Sequence, residues 1–165
     1  MLLLLPLVGT AFAQSQHDAS LGTLEPWVDS AIPLTSDALR GLARQTLIVP
    51  AGREGVAGTY AGVPISVLLE QAGVPAGRAL RGNRLAIVVI AEASDGYKVA
   101  FSIGELDASV GDAQVLVADS LNGAPLDAKH GPLQLIAPMD KRGARWVRGV
   151  VRLRVLDASH VKDAK

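Results

Sequence analysis

The sequence has no cysteine among its 165 residues. This absence excludes disulfides, iron–sulfur clusters, thiolate metal ligands and a cysteine nucleophile. Histidine is also scarce, because His17, His130 and His160 lie far apart without H-x-x-x-H or H-E-x-x-H spacing. We therefore expect no zinc site that this chain could form alone.

The chain has no excess of either charge, since 16 Lys and Arg residues balance 16 Asp and Glu residues. Non-specific nucleic-acid binders carry a basic excess, so the composition predicts no nucleic-acid partner. The charges are nevertheless uneven along the chain: acids dominate residues 92–127 and bases dominate residues 141–154. If these segments lie on different faces, the molecule is a dipole that could steer a charged partner. The alternative is that they only keep two exposed hairpins soluble.

No segment is long enough and apolar enough for a transmembrane helix. Residues 1–13, MLLLLPLVGTAFA, form a short apolar run that ends in an A-x-A-like cleavage site, Ala11-Phe12-Ala13. No Lys or Arg precedes the run, so a start further upstream and a buried N-terminal helix are alternatives. We predict a signal peptide over 1–13, a flexible leader over 14–22, and a periplasmic or secreted protein.

The remaining composition, 49% hydrophobic and 19% charged over the whole chain, is typical of a folded domain. The patterns predict about seven strands and two or three short helices, hence one α+β domain with a mixed sheet over 23–157 and a tail over 158–165. The predicted strands cover 24–29, 46–50, 85–90, 97–101, 114–119, 133–138 and 150–156. The predicted helices cover 36–42, capped by Thr35, a segment from Pro64 to Gly73, and a short segment after Ser102.

Three of these elements carry specific local signals. Asp95-Gly96 between two strands favours a tight turn with positive φ, and Ser102 to Glu105, SIGE, is a capping box. In the last strand, the alternation places Arg152 and Arg154 on one face and Val151, Leu153 and Val155 on the other.

Four short motifs follow one another in a distinctive order. They are Gly62-Val63-Pro64 before a helix that ends in Ala72-Gly73-Val74, Asp95-Gly96-Tyr97, Asn122-Gly123 with Pro125-Leu126 before His130-Gly131-Pro132-Leu133, and Arg145-Trp146-Val147. Over residues 46–155 this order resembles the sulfite-oxidase-type molybdopterin-binding domain family. The resemblance implies the α+β mixed-sheet fold of that family, a molybdopterin cofactor, and oxygen-atom transfer such as sulfite oxidation.

The sequence departs from that family at the metal. The resemblance implies a cysteine ligand to molybdenum within residues 46–52, where this chain reads TLIVPAG. Valine or proline cannot replace a soft thiolate ligand. We therefore expect a non-catalytic exported domain, without bound molybdopterin, that binds a small anionic ligand or a periplasmic protein partner. The alternatives are an active molybdopterin-dependent oxidoreductase with a non-cysteine ligand or a partner-completed site, and an envelope protein whose groove is filled by apolar side chains.

The resemblance also implies roles for particular residues. Arg142 and Arg145 occupy the positions that contact the phosphate end of the cofactor, and a guanidinium group suits that role because its planar fork forms paired hydrogen bonds. The alternative is a solvated basic loop. His130 is a candidate ligand, general base or pterin contact. Its alternative is a turn histidine that bonds the neighbouring backbone, since no second His or Asp is expected at a useful spacing.

Three further side chains have two interpretations each. The resemblance places Tyr97 on the substrate side of the metal, where its phenol could donate a hydrogen bond, and the alternative is a tyrosine that covers the hairpin. Trp146 could stack on a ligand, but a core anchor is favoured. Trp27 is expected in the core or in a lid, and Asp95 is expected to be a turn residue without a catalytic role.

Overall fold

The structure, a computed structural model, describes residues 29–51 and 57–160. Those residues form nine β-strands and two short α-helices. The strands are β1 (Ser30–Pro33), β2 (Gln45–Val49), β3 (Gly58–Pro64), β4 (Ile87–Ala93), β5 (Lys98–Ser102), β6 (Leu116–Leu121), β7 (Ala124–Pro125), β8 (Gln134–Ile136) and β9 (Val150–Asp157). The helices are α1 (Ile65–Gln71) and α2 (Ile103–Leu106), and single 3-10 turns cover Gly77–Ala79, Gly82–Ala86, Gly143–Arg145 and Ala158–His160.

The strands form two sheets. The first has the order β1-β9-β4-β5, and the second has the order β2-β3-β6-β7, with β8 also paired to β6. Every pair between these strands of the described chain is antiparallel. Many strands with few, short helices between them confirm the predicted α+β class.

One hydrophobic core holds both sheets together. Val89 and Leu153 from the first sheet and Val63, Val117 and Leu135 from the second are all fully buried members of the same cluster. Burial of such apolar side chains is the main favourable contribution to folding. The sheets and their connections therefore form one domain.

Gly62 allows strands β3 and β6 to approach closely just before the predicted Pro64 helix. A Cβ atom on Gly62 would lie 2.0 Å from the carbonyl oxygen of Val117, at a β-bulge between β3 and β6. Only glycine allows this approach of the two backbones. The chain then enters α1 directly after Pro64, and buries Ile65 and Leu68. Helix α1 is the predicted Pro64 helix, and it is followed by Gly73 at φ 76°.

The two predicted local signals around β5 are confirmed. Strands β4 and β5 pair across the Asp95-Gly96 turn, in which Gly96 has a φ of 88°. At the start of α2, Ser102 Oγ accepts a hydrogen bond from the Glu105 amide at 3.2 Å, and Glu105 Oε2 accepts one from the Ser102 amide at 3.2 Å. This is the reciprocal pair of a capping box.

The predicted helix over 36–42 is wrong, because this segment forms turns. Thr35 does accept the capping bond, from the Ala38 amide at 3.1 Å. Only the Leu39 amide then reaches back four residues, to the carbonyl of Thr35 at 3.1 Å. Gly41 follows with a φ of 80°, so the segment ends before a helix can propagate.

The predicted face of Val151 in the last strand is also wrong. Glu92 of β4 pairs with Arg152, but the next residue, Ala93, pairs with Val150, so Val151 is the extra residue of a β-bulge. Val151 is accordingly 40% exposed and Val150 is buried in its place. The strand beyond the bulge alternates as predicted, with Leu153 buried at the core.

Several predicted segments lie outside the described residues. They are the signal peptide over 1–13, the leader over 14–22, Trp27 and all but the last residue of the strand predicted over 24–29. Of the tail predicted over 158–165, the described part is the 3-10 turn Ala158–His160. In the part of the chain that the structure describes, we find no helix with the length and hydrophobicity needed to span a membrane.

Candidate functional site

The four predicted site residues lie in or next to the segment between β8 and β9. We call residues 139–149 the basic loop, because it carries Lys141, Arg142, Arg145 and Arg148. Trp146 fixes this loop to the core: its Nε1 donates to the Ala137 carbonyl at 2.9 Å, and its ring meets Tyr60 edge-on at 5.9 Å between centroids. The indole is only 8% exposed, as expected for the core anchor that the sequence favours.

Tyr97 connects the β4–β5 hairpin to the basic loop. Its hydroxyl donates to the Ala144 carbonyl at 2.6 Å, and its side chain remains half exposed. The one proton of the phenol is used in this bond, so only the oxygen lone pairs remain for another molecule. Tyr97 thus brings together two segments that are 47 residues apart.

An open pocket of ≈ 280 Å³ lies where the hairpin tip meets the basic loop. Its lining consists of Asp95, Tyr97, Gly143, Ala144, Trp146 and Arg148. Arg148 is exposed, and its guanidinium forms no hydrogen bond or ion pair with the residues in 29–51 and 57–160. Asp95 Oδ1 accepts the Tyr97 amide at 2.9 Å, as expected of a turn residue. The pocket lining therefore includes an arginine without a carboxylate partner among the described residues and a carboxylate that is partly satisfied by the backbone.

Arg145 does not line this pocket, because other groups surround its guanidinium. Nε and Nη2 donate to the two oxygens of Asp140 at 2.8 and 2.6 Å, and Nη1 donates to Glu105 Oε1 at 2.7 Å. The guanidinium carbon lies 4.3 Å from the centre of the Phe101 ring, a cation–π distance. The hydrogen bond with Asp140 is the largest cause of the raised pKa of Arg145. Burial acts in the opposite direction, and the hydrogen bond with Glu105 adds to the increase. Arg145 is thus a permanently charged group in a partly buried ion-pair cluster.

Arg142 and Lys141 are exposed on the same loop. Arg142 directly precedes the 3-10 turn Gly143–Arg145, in which Gly143 and Ala144 line the pocket. Both side chains lie on the loop that borders the pocket, but neither is part of its lining.

His130 lies in a turn whose backbone touches the end of the basic loop, since its carbonyl accepts the Gly149 amide at 3.4 Å. Its Nδ1 is 2.6 Å from Asp127 Oδ1, which also accepts the His130 amide at 2.9 Å. The hydrogen bond from His130 lowers the pKa of Asp127. The expectation that no Asp is suitably spaced is therefore wrong, because Asp127 lies three residues earlier and the turn folds it back onto the ring.

The structure thus gathers Tyr97 and the basic loop around one pocket, places His130 at the end of that loop, and holds Arg145 in a separate cluster. Sequence reasoning did not single out Arg148 within its basic cluster. The signal that could have done so is its position directly after the buried pair Trp146-Val147, which forces the next side chain outward.

Comparison with known proteins gives one family. The model of the oxidoreductase molybdopterin-binding domain matches residues 40–163, which include the basic loop, the hairpin and the His130 turn. A search among curated proteins gave no match.

Proposed function

Because the chain belongs to the oxidoreductase molybdopterin-binding domain family and contains no cysteine, we propose that it is a non-catalytic member that binds a small anion beside the basic loop. The observation that carries this proposal is Arg148, an exposed arginine in a pocket, without a carboxylate partner among the described residues. A guanidinium in this position can form paired, charge-assisted hydrogen bonds to an oxyanion.

The described residues do not fit a molybdenum ion. The segment in which the family resemblance implies a cysteine runs along β2 to Val49 and continues with Pro50, and neither side chain offers a donor. Within residues 29–51 and 57–160, no group of three His, Cys, Asp or Glu side chains could hold a metal. A soft thiolate cannot be replaced by an aliphatic side chain, so we propose no reaction step through molybdenum.

The size and charge of the pocket favour a small oxyanion over a whole pterin cofactor. A volume of ≈ 280 Å³ is at the lower limit of ligand pockets, which span about 300–1,000 Å³. Lys141 on the same loop increases the local positive potential, whereas Asp95 lowers it. An anion that carries a proton can donate to Asp95 while its charged oxygens face Arg148. This arrangement favours hydrogenphosphate over sulfate.

Calorimetric titration of the full chain with phosphate and with sulfate at low ionic strength tests the proposal. Arg148→Met should weaken phosphate binding at least about tenfold, the usual cost of removing a charged hydrogen-bond donor. Arg78→Met is the matched control, because Arg78 is also exposed and forms no ion pair in the described chain. Equal binding by wild type and Arg148→Met, or no binding by wild type, would overturn the proposal.

The family match over residues 40–163 supports a second candidate, an active molybdopterin-dependent oxidoreductase with a non-cysteine ligand or a site completed by a partner. Elemental analysis for molybdenum and chromatographic analysis for pterin, on protein purified from its native host, separate the two candidates. About one molybdenum and one pterin per chain would support the oxidoreductase and contradict the non-catalytic proposal.

We also propose that the protein is exported and acts in the periplasm or outside the cell. The support is the apolar run over 1–13 with its A-x-A-like end. N-terminal sequencing of the protein from the host's envelope fraction should give Gln14 as the first residue. A chain that starts at Met1 and stays in the cytosolic fraction would contradict export.

A periplasmic protein partner with an acidic surface is the alternative occupant of the basic loop.

A further inference from the structure

We propose that Arg145 is a positioning residue, which fixes the basic loop so that Arg148 and Tyr97 form the pocket, and that it is not a ligand for the anion. The inference rests on the proposed function for the pocket, and it assigns a different role to the arginine that the family resemblance connects with a phosphate. Its evidence is the set of contacts around one guanidinium group.

The donors of Arg145 are almost all used inside the protein. Nε and Nη2 bind both oxygens of Asp140, while Nη1 donates to Glu105 and, at 3.3 Å, to the Ala100 carbonyl. These contacts use all but one of the N–H groups of a guanidinium. A bidentate oxyanion needs two adjacent N–H groups, so it could bind only after one carboxylate had been displaced.

The two carboxylates belong to different parts of the molecule. Asp140 lies near the start of the basic loop, and its side chain is 18% exposed. Glu105 lies in α2, where its other oxygen accepts the Ser102 amide of the capping box at 3.2 Å. Arg145 therefore joins the beginning of the basic loop to its middle and joins both to a helix that is itself capped.

Displacement by a free anion is unfavourable for a physical reason. Asp140 and Glu105 are tethered near Arg145, so their effective concentration exceeds that of a small dissolved anion. Release of Arg145 would also break its ion pairs with two partly buried carboxylates, which is costly, and would remove the cation from the face of Phe101. The bonds that hold Arg145 thus favour the loop conformation over anion binding at this residue.

We call Arg145 with its partners Asp140 and Glu105 the clamp. It acts on Arg148 through a short, rigid stretch of chain. Trp146 and Val147 between the two arginines are both buried, and the Val147 carbonyl accepts the Leu135 amide of β8 at 2.8 Å. The Ala144 carbonyl, next to Arg145, is the acceptor for Tyr97. A loop fixed at Arg145 therefore holds both pocket side chains in place before a ligand arrives, which reduces the ordering cost of binding.

The test compares Arg145→Met, Asp140→Asn and Arg148→Met with wild type in the full chain, with two measurements. The first is amide hydrogen exchange without ligand, read at Leu135 and at Trp146, whose amide donates to the Gly143 carbonyl at 2.9 Å. The second is calorimetric titration with phosphate. Exchange reports the loop alone, so it remains informative if the protein proves not to bind phosphate.

A positioning role predicts that Arg145→Met and Asp140→Asn speed exchange at these amides by about tenfold or more, because the loop opens locally, and weaken phosphate binding. Arg148→Met should weaken binding and leave exchange unchanged. Asp140→Asn is the sharper variant, since it frees donors on Arg145 without removing the arginine. Tighter phosphate binding by Asp140→Asn, or unchanged exchange in both clamp variants, would overturn the inference.

If Arg145→Met does not fold, Asp140→Asn and Glu105→Gln give the same test with a smaller change. The two measurements distinguish failure of the proposed function from failure of this inference. A wild-type protein that binds no phosphate contradicts the former, whereas normal exchange in the clamp variants contradicts the latter.

Discussion

The basic loop carries four bases and strand β9 carries two, and the two segments use some of them differently. On β9, Arg152 Nε donates to Glu92 Oε2 at 2.7 Å, and Arg154 pairs with Asp29 at 3.0 Å. In the basic loop, Arg148 has no such partner among the described residues. Strand register explains the difference, because Arg152 lies directly opposite Glu92 on the neighbouring strand. A cluster of like charges in a sequence can thus contain both structural ion pairs and a binding surface.

Ion pairs also show how the acidic segment 92–127 and the basic segment 141–154 are arranged in space. Glu92 and Glu105, from the acidic part of the sequence, pair with Arg152 and Arg145 from the basic part. These four side chains therefore mix the two charges in space, and the condition for a dipole, charged segments on different faces, does not hold for them. Arg148 of the basic loop carries a positive charge that has no carboxylate partner among the described residues.

The largest effect that distinguishes paired from unpaired bases is expected on stability. Arg145→Met should lower the free energy of unfolding by about 2–3 kcal/mol, because it breaks the ion pairs of Arg145 with two partly buried carboxylates. Arg148→Met, on the same loop, should change it by no more than about 0.5 kcal/mol. Urea unfolding followed by circular dichroism measures both. Equal losses of unfolding free energy in the two variants would contradict the distinction between paired and unpaired bases.

A smaller loss of stability is expected when the pair between Glu92 of β4 and Arg152 of β9 is broken. Glu92 is 4% exposed and is flanked by Lys98 at 3.3 Å and by Arg152. Burial raises the pKa of Glu92, but its bonds with Lys98 and Arg152 outweigh burial and lower it. Glu92→Gln should therefore lower the urea midpoint clearly.

Asp37→Asn is the matched control for Glu92→Gln. Asp37 pairs with Arg40 at 2.6 Å, but both side chains are almost fully exposed. Exposed pairs contribute little, about 0–1 kcal/mol, so the midpoint should hardly change. A control that loses as much stability as Glu92→Gln would show that burial does not decide the strength of these pairs.

Acid should weaken another paired base, Arg44, in a graded way. Arg44 donates to both oxygens of Asp119, at 2.8 and 2.7 Å, and these bonds lower the pKa of Asp119 against the effect of burial. The folded-state pKa lies below the unfolded one, so the stability from this pair is present at neutral pH. It is lost as the pH falls below about 4 toward the folded-state pKa.

Urea midpoints at pH 7, 5 and 3 measure this loss, and Asp119→Asn should show a smaller decrease than wild type. An Asp119→Asn variant with an unaltered pH profile would contradict the proposed role of the pair.

The smallest effect is expected for Tyr97→Phe. This change removes only the hydroxyl that donates to the Ala144 carbonyl. The loss should be about 0.5–1 kcal/mol, typical of one neutral hydrogen bond, and it should be accompanied by faster exchange in the basic loop. A variant as stable as wild type, with an unchanged loop, would show that the bond does not couple the hairpin to the loop.

The sequence predicted those parts of the fold that depend on neighbouring residues. The Asp95-Gly96 turn, the Ser102 capping box and the helix after Pro64 are each specified within a few positions. The helix over 36–42 and the face of Val151 were predicted wrongly. The first ended because Gly41 and a single helical bond could not propagate it, and the second depended on a bulge set by the register with β4.

The site was less predictable for the same reason. Tyr97 and the basic loop were found as local motifs, but the partner of Tyr97 is 47 residues away and the partner Glu105 of Arg145 is 40 residues away. No periodicity in one sequence reveals such pairs. Asp127 beside His130 could have been found, since a separation of three residues is typical of a turn in which an aspartate bonds the following backbone.

The buried indole of Trp146 has a practical consequence. Its ring packs against Tyr60 and also borders the pocket, so its fluorescence should respond both to unfolding and to an occupied pocket. The chain has only two tryptophans, and replacement of Trp27 by phenylalanine would leave Trp146 as a single emitter. The intact protein would then report the state of its own basic loop optically, without an attached dye.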